Sequence, residues 1–297
     1  MTSRPFFALT SAALLLAARL LPAAEELPDI RSLEPDLEAP AVEAGDPAAG
    51  HRVFQTTRGW QDTALHHALY LPTNWRAGAK FPVLVEYPGN GGFRSRYGDV
   101  SNGLIEQCRM GYGISAGVDY IWLSMPFVGV TEGGRGNRAL WWGDADETAA
   151  YCVETVREVC REFGGDERAL VLCGFSRGSI ACNYIGLRND TIAPLWRAFI
   201  GHSHYDGVRT DWPFADADRF SALVRLQRLK GRPQFLSQEI SADATRHYLE
   251  ETDVPGDFTV VDLPCRNHTD LWTLGDCETR RRVRAWLRSI GLPAPRR

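Results

Sequence analysis

The sequence lacks the features that mark a nucleic-acid-binding protein or a metalloenzyme. Its 297 residues carry a formal net charge of −4, and no basic stripe runs along them that could neutralise a phosphate backbone. It contains no Cys-x-x-Cys pair and no His-Glu-x-x-His helix to support a catalytic metal. No internal repeat is evident. Nucleic acid is therefore not expected as a partner, and no metal site is predicted.

A long uncharged apolar run is also absent. Residues 6–21 are mostly apolar, but Arg19 interrupts them, and the uncharged stretch is too short to cross a bilayer. Arg4 precedes this stretch and the small residues Pro-Ala-Ala at 22–24 follow it. This order is typical of a secretory signal peptide, so residues 1–24 are predicted to be removed. We expect a secreted or periplasmic protein with no stable membrane insertion after cleavage.

Residues 25–50 are rich in Glu, Asp, Ala and Pro and have no sustained apolar periodicity. They are predicted to form a flexible acidic linker, although a propeptide or a cell-surface spacer would have the same composition. The remainder, residues 51–297, has the length of one large domain. The domain organisation expected is therefore a signal peptide, a linker and a single folded domain.

From about residue 51, short apolar runs alternate with helical patterns. This alternation predicts an α/β protein with a mostly parallel eight-stranded sheet and helices on both faces. The strands are predicted at residues 52–56, 66–71, 82–87, 120–125, 169–173, 197–201, 234–237 and 258–263.

Two helices are well marked by their patterns. Apolar residues recur at helical spacing over residues 149–163 and predict a crossover helix between the fourth and fifth strands. A last helix is predicted over residues 278–290. Its four arginines are expected on the solvated side; they are Arg280, Arg281, Arg282 and Arg284.

Residues 174–178 read Gly-Phe-Ser-Arg-Gly and stand between an apolar run, residues 169–173, and a helix-like stretch, residues 179–187. In this setting the motif predicts a nucleophile elbow, a tight turn that joins a buried strand to a helix. Glycines on either side let the backbone approach closely and lift the serine hydroxyl out of the sheet. Ser176 is therefore the predicted nucleophile.

This combination resembles the α/β-hydrolase superfamily, over nearly the whole chain from residue 51. Residues 87–92, Tyr-Pro-Gly-Asn-Gly-Gly, follow the third predicted strand, where these hydrolases place an oxyanion loop. The resemblance implies that the backbone N–H groups of Asn90 and Arg177 form the oxyanion hole. The loop has Pro88 where the commoner form begins His-Gly, and a plain glycine turn is the alternative. The short stretch before the seventh strand leaves no room for a large cap domain.

A serine hydroxyl needs a base to take its proton. His268 follows the final predicted strand, where the superfamily carries its catalytic histidine. The resemblance places the acid after the seventh strand, and Glu239 lies nearest that strand's end. Asp243, which would also suit the start of a helix, and Asp206, after the sixth strand, remain alternatives.

Two further groups of residues allow more than one interpretation. His202, His204 and Asp206 could bind zinc, but lining the substrate cleft is the simpler role. Seven cysteines leave at least one unpaired, and Cys265 and Cys277 flank the His268 loop, which a disulfide between them would close.

The resemblance implies a serine carboxylic-ester hydrolase that needs no cofactor, similar to the polyhydroxybutyrate-depolymerase and feruloyl-esterase branch. Trp141, Trp142 and Trp272 are candidates for aromatic walls near the cleft. An open cleft would suit bulky esters, such as acylated polysaccharides or polyesters. The alternatives are a serine peptidase similar to prolyl oligopeptidases, without their propeller, an acyltransferase, and a non-catalytic ligand-binding protein on the same fold.

Overall fold

The structure, a computed structural model, describes residues 27–295. The predicted signal peptide lies outside the described residues. Within residues 27–295, no helix combines the length and the apolar character needed to cross a membrane.

Twelve strands and six α-helices are found in this part of the chain. The strands, in chain order from β1 to β12, are Arg52–Gln55, His67–Tyr70, Phe81–Tyr87, Phe93–Arg94, Val100–Ser101, Ile121–Ser124, Val128–Thr131, Gly134–Asn137, Gly165–Phe175, Ala198–His202, Pro233–Glu239 and Asp257–Leu263. The helices, α1 to α6, are Met110–Ser115, Ala145–Glu162, Arg177–Tyr184, Arg219–Leu226, Asp243–Glu250 and Glu278–Ser289.

Eight of the strands form one sheet in the order β1-β2-β6-β3-β9-β10-β11-β12. The β1–β2 and β2–β6 pairs are antiparallel, and all the others are parallel. These are the eight strands predicted from the sequence, so the mostly parallel sheet is confirmed. The four remaining strands form two small hairpins outside it.

The sheet is covered on both faces because successive strand residues point to opposite sides. Val85 and Leu172 belong to one hydrophobic core, together with residues of α2 and α3. Leu84 and Val171 belong to a second core, with residues of α1 and α6. The central strands are thus mostly apolar, with a few buried polar side chains such as Glu86 and Gln234, as the short apolar runs in the sequence indicated.

The parallel strands end at one edge of the sheet, and the candidate residues follow those ends. Asn90 comes after β3, Ser176 after β9, Ser203 after β10 and His268 after β12, while Glu239 is the last residue of β11. Ligands of open α/β sheets bind at this carboxyl edge. The stretch between β10 and β11 holds only α4 and one 3₁₀ turn, which confirms the absence of a large cap.

Residues 27–50 lie against the folded domain instead of forming the flexible linker that their composition indicated. Ile30 is buried, and Pro35 forms a β-bridge with Gly275. Asp36 pairs with Arg280 at 2.6 Å. A few side chains, one apolar and several acidic, find partners on the domain, and local composition carries no signal for such long-range contacts.

The prediction that the four arginines of the last helix face solvent is wrong for two of them. Arg280 and Arg284 are only 1% and 2% exposed. Arg284 donates to the carbonyl oxygens of Gly113 and Ile114, near the C-terminus of α1, at 2.7 and 3.0 Å. A cation is favoured there because carbonyl groups at a helix C-terminus lack partners within the helix. Arg281 and Arg282 are exposed as predicted.

The predicted Cys265–Cys277 disulfide is not present, and both residues are free thiols. The Cys265 sulfur contacts the carbonyl oxygen of Asn267 at 3.7 Å. The Cys277 sulfur instead accepts the backbone N–H of Arg280 at 3.5 Å, as the N-cap of α6. The two side chains flank the same loop but are engaged with different backbone groups.

Candidate active site

The turn between β9 and α3 holds Ser176 in a backbone conformation that non-glycine residues rarely adopt, with φ 55° and ψ −114°. Such strain collects at functional positions. The flanking glycines make the turn feasible. A Cβ at Gly174 would lie 2.3 Å from the backbone of Gly178, and one at Gly178 would lie 2.0 Å from the carbonyl oxygen of Tyr87.

Ser176, His268 and Glu239 form one hydrogen-bonded chain. The Ser176 Oγ lies 2.9 Å from His268 Nε2, and His268 Nδ1 lies 2.7 Å from Glu239 Oε1. The structure therefore brings together the three residues proposed from the sequence. With Nδ1 protonated toward the carboxylate, Nε2 is left as the acceptor that a serine nucleophile requires.

Glu239 is suited to remain ionised in this position. Burial raises its pKa, but the hydrogen bonds with His268 and Ser203 and the electrostatic influence of the His202 and His268 rings together outweigh burial. The resulting pKa of Glu239 is about 2. A carboxylate that keeps its charge can hold the imidazole in one tautomer and stabilise an imidazolium.

The two alternative acids lie elsewhere. Asp206 is buried in an ion pair with Arg225 of α4, at 2.7 and 3.0 Å. Asp243 is exposed at the start of α5 and pairs with Arg246 at 2.7 Å. Neither forms a hydrogen bond with His268 among the described contacts, so Glu239 is the acid that the geometry favours.

The predicted oxyanion donors lie beside Ser176. Asn90 and Arg177 line the same pocket as Ser176 and His268. Arg177 is the first residue of α3, where backbone N–H groups lack partners within the helix and favour a negative charge. The Asn90 side chain accepts the backbone N–H of Trp141 at 2.7 Å, which fixes the glycine-rich loop.

No family model matches the sequence, and no curated protein matches it. Solved structures do resemble it. Esterase 2 of Thermogutta terrifontis superposes with a TM-score of 0.55 at 16% identity, covering 82% of this chain and 96% of the esterase. An acylaminoacyl peptidase of Pyrococcus horikoshii gives a TM-score of 0.54 at 14% identity, covering 81% of this chain and 41% of the peptidase.

This chain has the α/β-hydrolase fold. The likeness extends over most of the described domain, and the esterase matches it almost end to end, whereas the chain spans less than half of the peptidase. At these identities the likeness concerns the fold alone, so the chemistry of the site has to be argued from its residues.

The side chain of Arg177 also has a structural role in this fold. It is buried, lies 4.0 Å over the ring of Phe127, and donates to the carbonyl oxygens of Trp141 and Gly103 at 2.6 and 3.2 Å. Burial lowers its pKa from 12.5 to about 9. Arg177 thereby joins the elbow to the loop that carries Trp141.

A pocket of about 340 Å³ opens above the Ser176 hydroxyl. Its walls are largely aromatic and include Trp141 and Trp212, whose rings are 5.5 Å apart, with His204 and Arg209 as polar members. Of the three tryptophans proposed from the sequence only Trp141 lines it, since Trp142 and Trp272 are buried in the hydrophobic cores. Trp212 was not foreseen.

The possible zinc cluster does not converge. His202 is fully buried, with Nδ1 2.9 Å from Ser237 Oγ and Nε2 3.1 Å from the carbonyl oxygen of Thr269. Burial lowers its pKa to about 4. Asp206 is held by Arg225, while His204 lies in the pocket wall. Across residues 27–295, no group of three His, Cys, Asp or Glu side chains is placed to hold a metal.

The His268 loop is held by a residue that sequence reasoning missed. The buried carboxylate of Asp99 accepts the backbone N–H of His268 at 3.1 Å and the side-chain amide of Asn267 at 3.0 Å. It also pairs with Arg31 at 2.6 Å. Asn267 in turn accepts the backbone N–H of Ile30 at 2.8 Å. No motif surrounds Asp99, so only the folded chain reveals this role.

Proposed function

We propose that this protein is a serine hydrolase of carboxylic esters. The observation that carries the proposal is the hydrogen-bonded chain from Ser176 through His268 to Glu239, which begins at a strained turn in the floor of an aromatic pocket. Backbone conformations that non-glycine residues rarely adopt cluster at active sites, so the φ and ψ of Ser176 support its role as the nucleophile.

Acylation would begin when the Ser176 Oγ attacks the acyl carbonyl carbon and its proton moves to His268 Nε2. The negative oxygen that forms would be stabilised by the backbone N–H groups of Asn90 and Arg177. Collapse of this intermediate breaks the ester C–O bond, and the departing alcohol takes the proton from Nε2. Glu239 stabilises the imidazolium in between.

Deacylation would repeat the same steps with water. His268 Nε2 takes a proton from water, the resulting hydroxide attacks the acyl-enzyme carbonyl, and the intermediate collapses to the free acid while Ser176 regains its proton. The sequence of steps consumes one water for each ester and requires no cofactor.

The shape of the pocket supports a bulky ester as substrate. Within residues 27–295 no large cap covers the pocket, and Trp141 and Trp212 offer flat apolar surface beside Ser176. We propose an acylated polysaccharide or a polyester, as expected for the polyhydroxybutyrate-depolymerase and feruloyl-esterase branch. We also propose that the protein is exported and acts as a secreted or periplasmic enzyme, which N-terminal sequencing of the mature protein tests.

The decisive experiment is labelling of the purified protein with a fluorophosphonate probe, followed by assays with p-nitrophenyl esters of short and long acyl chains. Wild type should be labelled and should turn over esters, and Ser176→Ala should do neither. Ser289→Ala, which removes an exposed hydroxyl from α6, serves as the matched control and should behave as wild type.

The outcomes separate the alternatives. Faster cleavage of peptide p-nitroanilides than of esters would favour a peptidase, and transfer of the acyl group to an added alcohol in preference to water would favour an acyltransferase. A folded wild-type protein that the probe does not label would reject the hydrolase mechanism and favour a ligand-binding role.

A further inference from the structure

Ser203 lies between the acid and the base of the candidate triad. Its Oγ is 2.8 and 2.7 Å from the two oxygens of Glu239 and 2.7 Å from His268 Nδ1. It follows the last residue of β10, and its backbone N–H donates to the carbonyl oxygen of Ser237 at 2.8 Å. Three polar groups therefore meet within hydrogen-bond distance of one another.

The number of protons shared by Ser203, Glu239 and His268 determines which group donates in each hydrogen bond. A serine hydroxyl has a single proton, and the ionised carboxylate of Glu239 can only accept, so Ser203 donates to Glu239. Its oxygen lone pairs then face His268 Nδ1 and can only accept a proton from it. The Nδ1–H group of His268 is thus shared between Glu239 and Ser203, and the neutral ring must keep its Nε2 free to accept from Ser176.

The backbone of Ser203 supplies an independent observation. Its φ is 91°, in the region where glycine is at ease and other residues are strained. Ser203 is 1% exposed, so its side chain contributes nothing to the surface. A side chain kept in a strained backbone conformation points to a function of that side chain.

We propose that Ser203 is a positioning residue of this hydrolase, which holds Glu239 and locks His268 in the tautomer that accepts the Ser176 proton. The inference rests on the proposed function. Ser203 acts through Glu239 and His268 and does not itself touch the substrate.

The variant that tests this role is Ser203→Gly, because glycine fits a φ of 91° and the protein should fold at least as well as wild type. Loss of a hydrogen bond to a charged group should lower kcat by about 10- to 100-fold, while KM changes little because the pocket walls are unchanged. Ser203→Ala, which keeps the strain and loses the hydroxyl, should show the same loss of kcat.

Lys230→Gly is the matched control. Lys230 is exposed, has a φ of 51°, and does not line the pocket. This variant relieves backbone strain as Ser203→Gly does, and its kcat should remain that of wild type. A folded Ser203→Gly protein with unchanged kcat would overturn the proposal.

A second readout does not require turnover. The proton on His268 Nδ1 can be followed by NMR and assigned by its disappearance in His268→Gln. The resonance should shift and exchange faster with water in both Ser203 variants but not in Lys230→Gly. Failure of the fluorophosphonate probe to label folded wild type would reject the proposed hydrolase function. An Nδ1 resonance that is identical with and without the Ser203 hydroxyl would reject the role of Ser203.

Discussion

The Ser176 Oγ and His268 Nε2 atoms lie 2.9 Å apart, yet the two residues are positioned by different kinds of contact. The elbow around Ser176 depends on its neighbours in sequence, Gly174 and Gly178, which let the backbone close tightly. The His268 loop depends on Asp99, which is 169 residues away, and through it on the N-terminal segment. The candidate active site thus has two halves. Residues close in sequence determine the Ser176 elbow, whereas the His268 loop is positioned only when distant parts of the chain come together.

The largest expected effect comes from His268→Ala, which removes the base and leaves the elbow intact. We expect kcat to fall by about 10⁵-fold, as loss of a triad member does in related chemistry, with the melting temperature nearly unchanged. Steady-state kinetics and thermal unfolding measure both. His247→Ala, an exposed histidine of α5, is the control. Near-normal turnover in His268→Ala would show that His268 is not the base that activates Ser176.

Glu239→Gln should come next. The neutral amide cannot stabilise an imidazolium and can hold the wrong tautomer, so kcat should fall by about 10³- to 10⁴-fold. Asp243→Asn removes an exposed carboxylate from the neighbouring helix and should leave kcat unchanged. The opposite result, with Asp243→Asn inactive and Glu239→Gln active, would identify Asp243 as the acid.

Asp206→Asn should affect stability and leave catalysis in place. The change leaves Arg225 buried without its charge partner, which should reduce the free energy of unfolding by about 3–5 kcal/mol. Urea denaturation measures the loss, and kcat per folded molecule should stay near that of wild type. A selective loss of kcat without loss of stability would return Asp206 to the list of candidate acids.

Asp99→Ala tests directly whether Asp99 positions the His268 loop. The variant leaves the backbone N–H of His268 and the Nη2 group of Arg31 without their acceptor. We expect the free energy of unfolding to fall by about 2 kcal/mol and kcat to fall by about 10-fold, with KM nearly constant. Asp119→Asn, which neutralises a half-buried carboxylate bound to Asn74 and suits the φ of 61° at this position, is the control. Equal kcat in both variants would mean that the elbow alone positions the histidine.

The smallest effect expected is a dependence on pH through His202. Burial lowers its pKa from 6.5 to about 4, so the unfolded chain binds a proton more readily than the folded one. The stability that depends on neutral His202 is complete above pH 6.5 and is lost as the pH falls toward 4. At about pH 5 the free energy of unfolding should have fallen by about 2 kcal/mol. Urea unfolding between about pH 7.5 and 5 should show the decline, and His202→Gln should show less of it.

Much of the fold was predictable because its signals are local. Eight mostly apolar runs predicted the eight strands of the main sheet, since strands buried on both faces are rich in apolar residues. The exceptions are informative. Arg280 and Arg284 have the spacing of a solvated face, but their partners, Asp36 and the carbonyl groups of α1, come from distant parts of the chain.

The choice among three acids shows the same limit within the site. From the sequence, Glu239 was favoured because it lies nearest the end of the seventh strand, but Asp243 and Asp206 also follow strand ends or their loops and remained alternatives. The tertiary structure separates them because each carboxylate finds a different partner, His268, Arg246 or Arg225.

The sequence by itself determined the elbow at Ser176 and the order of strands that brings His268 and Glu239 to the same edge of the sheet. Tight turns and buried strands are written in residues that are neighbours along the chain. Only the tertiary structure decided the roles of Asp99 and Ser203, the packing of residues 27–50 against the domain and the Trp141–Trp212 pocket. Those features join residues far apart in sequence, whose contacts depend on packing in three dimensions.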